Sequence, residues 1–309
     1  MKEPLLATVD IGSNSILLLI GRMVQGKLHI ETQRKETIRL GGALDAHGHL
    51  QMPAIERGLE CLRRFAGLMA DVAPSHRKAV ATQTLREAKN RTVFLEQAQH
   101  ILRCPVELIS GEREAALIYQ GVAGLLPPQE ETRLVIDIGG RSTELCIGQG
   151  AQLQAAHSCP IGSVAWAQRF FADGNLHASS FSQAQQAALQ ALAPFAQSLG
   201  VHSWQQAYGA SGTAGAICKV LHQGGHPAAE IHRDALFHLR EQLVQAGHSS
   251  RLPLQGLRDD IRPVIGGGVS IMCAVFDAFA LSHMRIAQGA LRHGAMMELA
   301  HTLQSTTAP

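Results

Sequence analysis

The chain has 309 residues, 46% of them apolar and 17% charged, with a formal net charge of +2. That length holds two domains of ordinary size, and the composition leaves no disordered tract longer than a short tail at His301 to Pro309. The near-neutral charge argues against a broad basic face for a nucleic-acid polymer. The apolar run Ile16 to Ile20 is far below the roughly 20 residues that span a bilayer, and six scattered cysteines without a CxxC pair suggest neither a zinc knuckle nor a disulfide framework.

In chain order, strand-like runs fall at Leu5 to Asp10, Ile16 to Val24 and Lys27 to Arg34, the last two joined by the turn Gln25-Gly26. Ile55, Leu59, Leu62, Phe65 and Met69 then recur at helical spacing after Pro53, a favoured first-turn residue. A strand at Lys78 to Thr82, a helix over Thr92 to Leu102, a strand at Val106 to Ile109 and a helix capped by Ser110 complete an order βββαβαβα. The order restarts with strands at Leu134 to Asp137, Glu144 to Ile147 and Gln152 to His157. A helical stretch around Phe170 and Phe171, a helix from Ser182, a strand at Gln206 to Gly209 and helices to the end follow.

The repeat is visible in residues as well as in order. Val9-Asp10-Ile11-Gly12-Ser13-Asn14-Ser15 and Ile136-Asp137-Ile138-Gly139-Gly140-Arg141-Ser142 each run from an apolar strand through Asp-Ile-Gly into a polar turn. A carboxylate at a strand tip, followed by a residue without Cβ where backbone approaches a ligand, suits a phosphate, because successive N–H groups in such turns form anion-binding nests. One such loop alone reads equally as a hairpin whose aspartate caps the turn. Asp45, His47 and His49 alternate like metal ligands but sit among loop residues, which favours a solvated turn. Gly266-Gly267-Gly268, ahead of an apolar helix from Val269 to Leu281, offers either N–H groups to a phosphate or tight packing at a helix entry.

With these loops the sequence resembles the exopolyphosphatase/guanosine pentaphosphate phosphohydrolase family, within the superfamily of actin, sugar kinases and 70-kDa chaperones. Further segments carry the resemblance: Ala81 to Ala88 (ATQTLREA), Ile109 to Ala115 (ISGEREA), Pro160-Ile161-Gly162, Gly209 to Thr213 and Arg285 to Glu298. It implies an α/β fold of two actin-like (ribonuclease H-like) lobes, each a mixed β-sheet with flanking helices, with the active site in the interlobe cleft. The lobes are expected at 1–125 and 126–309, with a C-terminal helix near 289–301 able to pack back on the first. The implied reaction is release of a terminal phosphate from inorganic polyphosphate, or of the 5′ γ-phosphate from guanosine pentaphosphate, with Mg²⁺ or another divalent cation, in the cytoplasm.

The resemblance makes Glu114 the catalytic carboxylate and Arg86 a contact to the transferred phosphate. It places Gly12, Ser13, Asn14, Ser15, Gly139, Gly140, Arg141 and Ser142 on phosphate and Asp10, Asp137 and Glu144 on the metal. Read from the residues alone, Glu114 is also an acid favoured in a first helical turn, Arg86 a solvated partner of Glu87, and Glu144 an edge residue. Lys89 and Arg91 either extend a basic track or face solvent. Arg141 stands where the family loop commonly has a third glycine, so a left-handed conformation there would cost about 1–2 kcal/mol. Ser163 replaces a cysteine of some members, which excludes a thiol role. The chain as given ends after the second lobe, without the helical C-terminal region of long members, so short polyphosphate or guanosine pentaphosphate is the better expectation. A kinase of the same superfamily and a sensor that binds guanosine tetra- or pentaphosphate without turnover are the alternatives; a homodimer stays open.

Overall fold

A computed structural model of the chain describes residues 3–199 and 204–307. The first three strands, β1 (Leu6–Ile11), β2 (Ser15–Val24) and β3 (Lys27–Thr37), form an antiparallel meander. Gln25 and Gly26, both at positive φ (50° and 75°), make the β2–β3 turn in the pattern of type I′, whose twist matches that of the strands it joins. Then come α1 (Met52–Leu68), β4 (Arg77–Ala81), α2 (Gln83–Glu87), α3 (Arg91–Leu102), β5 (Val106–Leu108) and α4 (Gly111–Ala123). Ser110 caps α4 as expected, its hydroxyl accepting from the N–H of Arg113.

The second series is β6 (Thr132–Ile138), β7 (Thr143–Gln149), β8 (Gln152–Cys159), α5 (Ser163–Phe170), α6 (Ala178–Leu199), β9 (Gln206–Gly209) and α7 (Gly212–Gln223). It continues through β10 (Glu230–His232), α8 (Arg233–Ala246), α9 (Ile265–Ala278), β11 (His283–Ile286) and α10 (Leu291–Thr307). Three expectations are corrected. Two short strands, β10 and β11, interrupt the supposed all-helical end. The tail from His301 to Thr307 continues α10. Gly266 to Gly268 lie inside α9, fully buried, not ahead of it.

The chain divides into two compact units, one of residues 1–127 with 289–309 and one of residues 128–288. The first holds a sheet in the order β3-β2-β1-β4-β5, the second one in the order β10-β11-β9-β6-β7-β8. Read from its meander side, the second sheet is β8-β7-β6-β9-β11, the arrangement of the first, with β10 added antiparallel at the edge. In each unit three neighbouring strands run parallel: β1, β4 and β5, and β6, β9 and β11. The α/β architecture of two mixed sheets with flanking helices is therefore present as a structural repeat.

Each unit has its own apolar core, as their sizes require. In the second, α9 is buried nearly all round and crosses α5 so closely that a Cβ on Gly267 would lie 2.4 Å from the carbonyl oxygen of Ser163. Those glycines serve packing. In the first, α10 lays Met296, Leu299 and Ala300 over Leu6 and Leu19 of the sheet. Its Glu298 accepts from Lys78 of β4 (2.8 Å) and pairs with Arg113 of α4. Gly121, Gly289 and Gly294 let the backbones of α4 and the start of α10 touch.

Candidate active site

Parallel strands put the chain's turns into helices at one sheet edge, where ligands of open α/β sheets bind. In the first unit Ile11, Ala81 and Leu108 end neighbouring strands. The carbonyl of Ile11 accepts from the Thr82 N–H (3.3 Å), and that of Ala81 from the Ile109 N–H (3.1 Å). The edge thus collects Asp10 and its loop, Arg86 on α2 and Glu114 in the first turn of α4. These come from sequence positions more than 100 residues apart in total span.

Arg86 does not pair with Glu87. Its Nη1 donates to Glu114 Oε2 (2.8 Å) and to the Ile109 carbonyl (2.8 Å), while Nε and Nη2 donate to Gln83 Oε1 (2.9 and 2.6 Å). Four of its five N–H donors are engaged, two from Nη1 and one each from Nε and Nη2. Gln83 is fixed in turn by donating to Glu87 (2.7 Å). Glu114 is only 7% exposed, and burial pushes its carboxyl above the usual carboxylate range, with the charge of Arg86 and its hydrogen bond opposing part of that rise. The carboxyl thus keeps its proton to higher pH than a free glutamate does.

Both loops are built alike. The N–H of Gly12 donates to Ser15 O (3.1 Å) and that of Gly139 to Ser142 O (2.9 Å). A Cβ on either glycine would sit 2.9 or 3.0 Å from that same carbonyl oxygen. Neither glycine has positive φ, so close approach is what demands the missing side chain. The loop carbonyls are drawn to one side. Ser13 O accepts from the Gly41 N–H (2.7 Å), and Asn14 O from Ile38 and Arg39 (3.0 and 2.9 Å). In the second unit Gly139 O accepts from Ser163 and Gly140 O from Val164 and Ala165, at the start of α5. Asn14 Oδ1, Ser15 Oγ and the Thr84 hydroxyl on α2 are buried without a hydrogen-bond partner among the described residues. Such orphans are uncommon and fit a site whose ligand supplies donors or a cation.

Asp137 of β6 lies opposite Glu144 of β7, and Glu144 opposite Ser158 of β8. Opposite residues of antiparallel strands share a face, so the two carboxylates are neighbours there. Glu144, 1% exposed, also accepts from Ser158 Oγ (2.8 Å), which settles against an exposed edge residue. In the first unit the repeat is broken: Leu17 stands opposite Asp10. Two hard oxygen donors fit Mg²⁺, which takes few protein ligands and shares substrate phosphates. Among the described residues no group of three or more His, Cys, Asp or Glu forms a complete metal cage, and the Asp45 carboxylate accepts from the N–H groups of His47 and His49 in an ordinary turn.

Arg141 carries no positive φ, so the expected backbone strain is absent and its side chain costs the loop nothing of that kind. Gly162 is the tight position instead: a Cβ there would come within 2.3 Å of the Arg141 nitrogen. Arg39, next to the first loop, is the residue that does adopt the left-handed conformation (φ 60°, ψ 44°), at a cost of about 1–2 kcal/mol.

A model of the Ppx/GppA phosphatase family matches residues 19–303. The chain belongs to the Ppx/GppA phosphatase family. It is thus a phosphatase, and solved structures share its fold. An exopolyphosphatase-like protein superposes with a TM-score of 0.88 at 23% identity, covering 98% of this chain and 100% of that one. An exopolyphosphatase from Cytophaga hutchinsonii gives 0.85 at 23%, covering 98% and 99%. The Aquifex aeolicus PPX-GPPA enzyme gives 0.80 at 25%, covering 96% and 100%.

For a Ppx/GppA phosphatase, the contacts of several site residues carried no legible signal. Gln83 and Thr84 sit on α2, a helix of five residues that the sequence does not announce. Ser158 shows only once the register of β7 and β8 is known. Lys89 and Arg91 are exposed, with Arg91 donating to the Arg86 carbonyl (3.1 Å), so no basic track forms from them. Among the described residues no helix is long and apolar enough to cross a membrane.

Proposed function

We propose that this family member hydrolyses terminal phosphoanhydride bonds, releasing orthophosphate from inorganic polyphosphate, the 5′ γ-phosphate from guanosine pentaphosphate, or both. The observation that carries the reading is the ion pair of half-buried Arg86 with buried Glu114 at the same sheet edge as the Asp10 loop. Glu114, with its pKa raised by burial, takes the proton from water as the water oxygen bonds to the terminal phosphorus. The bridging P–O bond breaks and its electron pair leaves on the shortened chain. Arg86 bears on the charge of the transition state, a contribution on the order of 10³ to 10⁵ in rate for an arginine so used.

Gly12 to Ser15 and Gly139 to Ser142 hold phosphate oxygens through N–H groups and hydroxyls. Asp137 and Glu144 in the second unit, and Asp10 in the first, are the carboxylates that would hold Mg²⁺, which when bound would neutralise charge on phosphate oxygens. Arg141 adds a cation to the second loop. Arg141→Gly is therefore expected to raise KM several-fold and to lower thermal stability slightly, since no strain is relieved and glycine adds freedom to the unfolded chain; an unchanged KM for every phosphorylated substrate tells against that role.

The test of the function is phosphate release with Mg²⁺ from short polyphosphate, long polyphosphate, guanosine pentaphosphate and ATP, side by side. Release from the first three with little from ATP is expected. Tight binding of guanosine pentaphosphate with no release from any of them would establish a sensor, and phosphate passed to an acceptor a kinase.

A further inference from the structure

The two loops are held by backbone that follows the third strand of each meander, yet that backbone differs in chemistry. In the second unit it is the turn at Gly162, where the 2.3 Å approach to Arg141 leaves no room for a side chain. The arginine of that unit stands in the loop itself. In the first unit the loop has Asn14 at the equivalent place, and the holding backbone is Ile38 and Arg39, both donating to the Asn14 carbonyl (3.0 and 2.9 Å). Each unit thus carries one arginine at its loop, introduced at a different position.

Arg39 has three properties that a merely structural residue does not need together. It is exposed while Ile38 and Leu40 on either side are buried. It keeps a left-handed backbone (φ 60°, ψ 44°) where glycine would be unstrained, and such strain persists at functional sites when the surroundings over-determine it. Its guanidinium has no hydrogen-bond or ion-pair partner among the described residues. Arg86, another cation of this edge, has four of its five N–H groups committed to protein acceptors. A phosphate chain entering the first loop carries about one negative charge per phosphate group, and a fork-shaped guanidinium matches phosphate oxygens in a bidentate way.

We infer that Arg39 is a substrate-binding cation of the first unit in addition to Arg86, contacting the phosphate chain held by Gly12 to Ser15. The inference rests on the proposed function for the identity of the ligand. Arg39→Gly separates side chain from backbone, because glycine accepts φ 60° and keeps the N–H bond to Asn14. Arg39→Gln retains the strained Cβ and loses only the charge. Calorimetric titration of the full chain with inorganic tripolyphosphate in Mg²⁺ is expected to show about a tenfold rise in dissociation constant for both, equivalent to about 1.4 kcal/mol. Arg39→Gly is also expected to melt at or above the temperature of the wild type. Wild-type affinity in either variant overturns the inference, as does failure of the wild type to bind tripolyphosphate. Titration needs no turnover, so a wild type that binds but releases no phosphate overturns the hydrolase reading while the Arg39 comparison still stands.

Discussion

Glu114→Gln is expected to lower phosphate release by about 10² to 10⁴-fold while leaving the protein folded. Glutamine keeps the size of the side chain and an oxygen for Arg86 Nη1, so the 2.8 Å contact has a successor and the guanidinium is not stranded. What disappears is the proton acceptor. The same residue sets a pH dependence. Burial raises its pKa above the reference 4.5, so the base is protonated below the raised value and activity climbs as pH rises through it. Stability runs the other way. The folded state binds this proton more tightly than the unfolded chain, so the stabilisation is present below the unfolded pKa and is lost as pH rises through the folded one. Glu114→Gln should flatten both limbs, in phosphate release against pH and in urea unfolding against pH. A variant with full activity and the wild-type acid limb would remove Glu114 from the chemistry.

Gly294→Ala should be the most damaging substitution for the fold of the first unit. A Cβ there would lie 1.9 Å from the Leu117 carbonyl oxygen and 3.1 Å from the Gly121 nitrogen, both backbone atoms that cannot turn aside. The helices α4 and α10 must separate, and the contacts of Met296 and Leu299 with Leu6 and Leu19 loosen with them. Overpacking of this kind costs about 3 kcal/mol or more, a fall of roughly 6–12 °C in thermal midpoint for a unit of this size. Gly67→Ala in α1 is the control. Nothing lies within 4 Å of a Cβ at Gly67, so alanine should be neutral or mildly stabilising there. Equal midpoints for the two variants would refute the packing account.

The meanders and the loops were legible because local chemistry dictates them. Gln25-Gly26 can turn two twisted strands, and Asp-Ile-Gly closes each β1-like strand against its neighbour. The family segments brought Glu114 and Arg86 into view, but not their contact. That depends on β4 and β5 being parallel neighbours, which no local pattern states. β10 and β11, of three and four residues, are too short to show a period of two amid helical sequence. Gly266 to Gly268 look like a helix entry because glycine usually weakens a helix interior; here the approach of α5 outweighs that penalty. Leu17 opposite Asp10 could have been found by pairing the hairpin residues, and it shows that the duplicated halves have diverged in chemistry more than in backbone.

The first unit closes only when α10 arrives, and α10 follows the whole of the second unit in sequence. A growing polypeptide that has emerged as far as Pro127 has its five strands but leaves Leu6 and Leu19 without the cover of Met296, Leu299 and Ala300. The second unit, continuous in sequence, can be complete first. Order along the chain and order of completion thus differ: the half that carries Glu114 can close only after the roughly 160 residues of the other unit have been made.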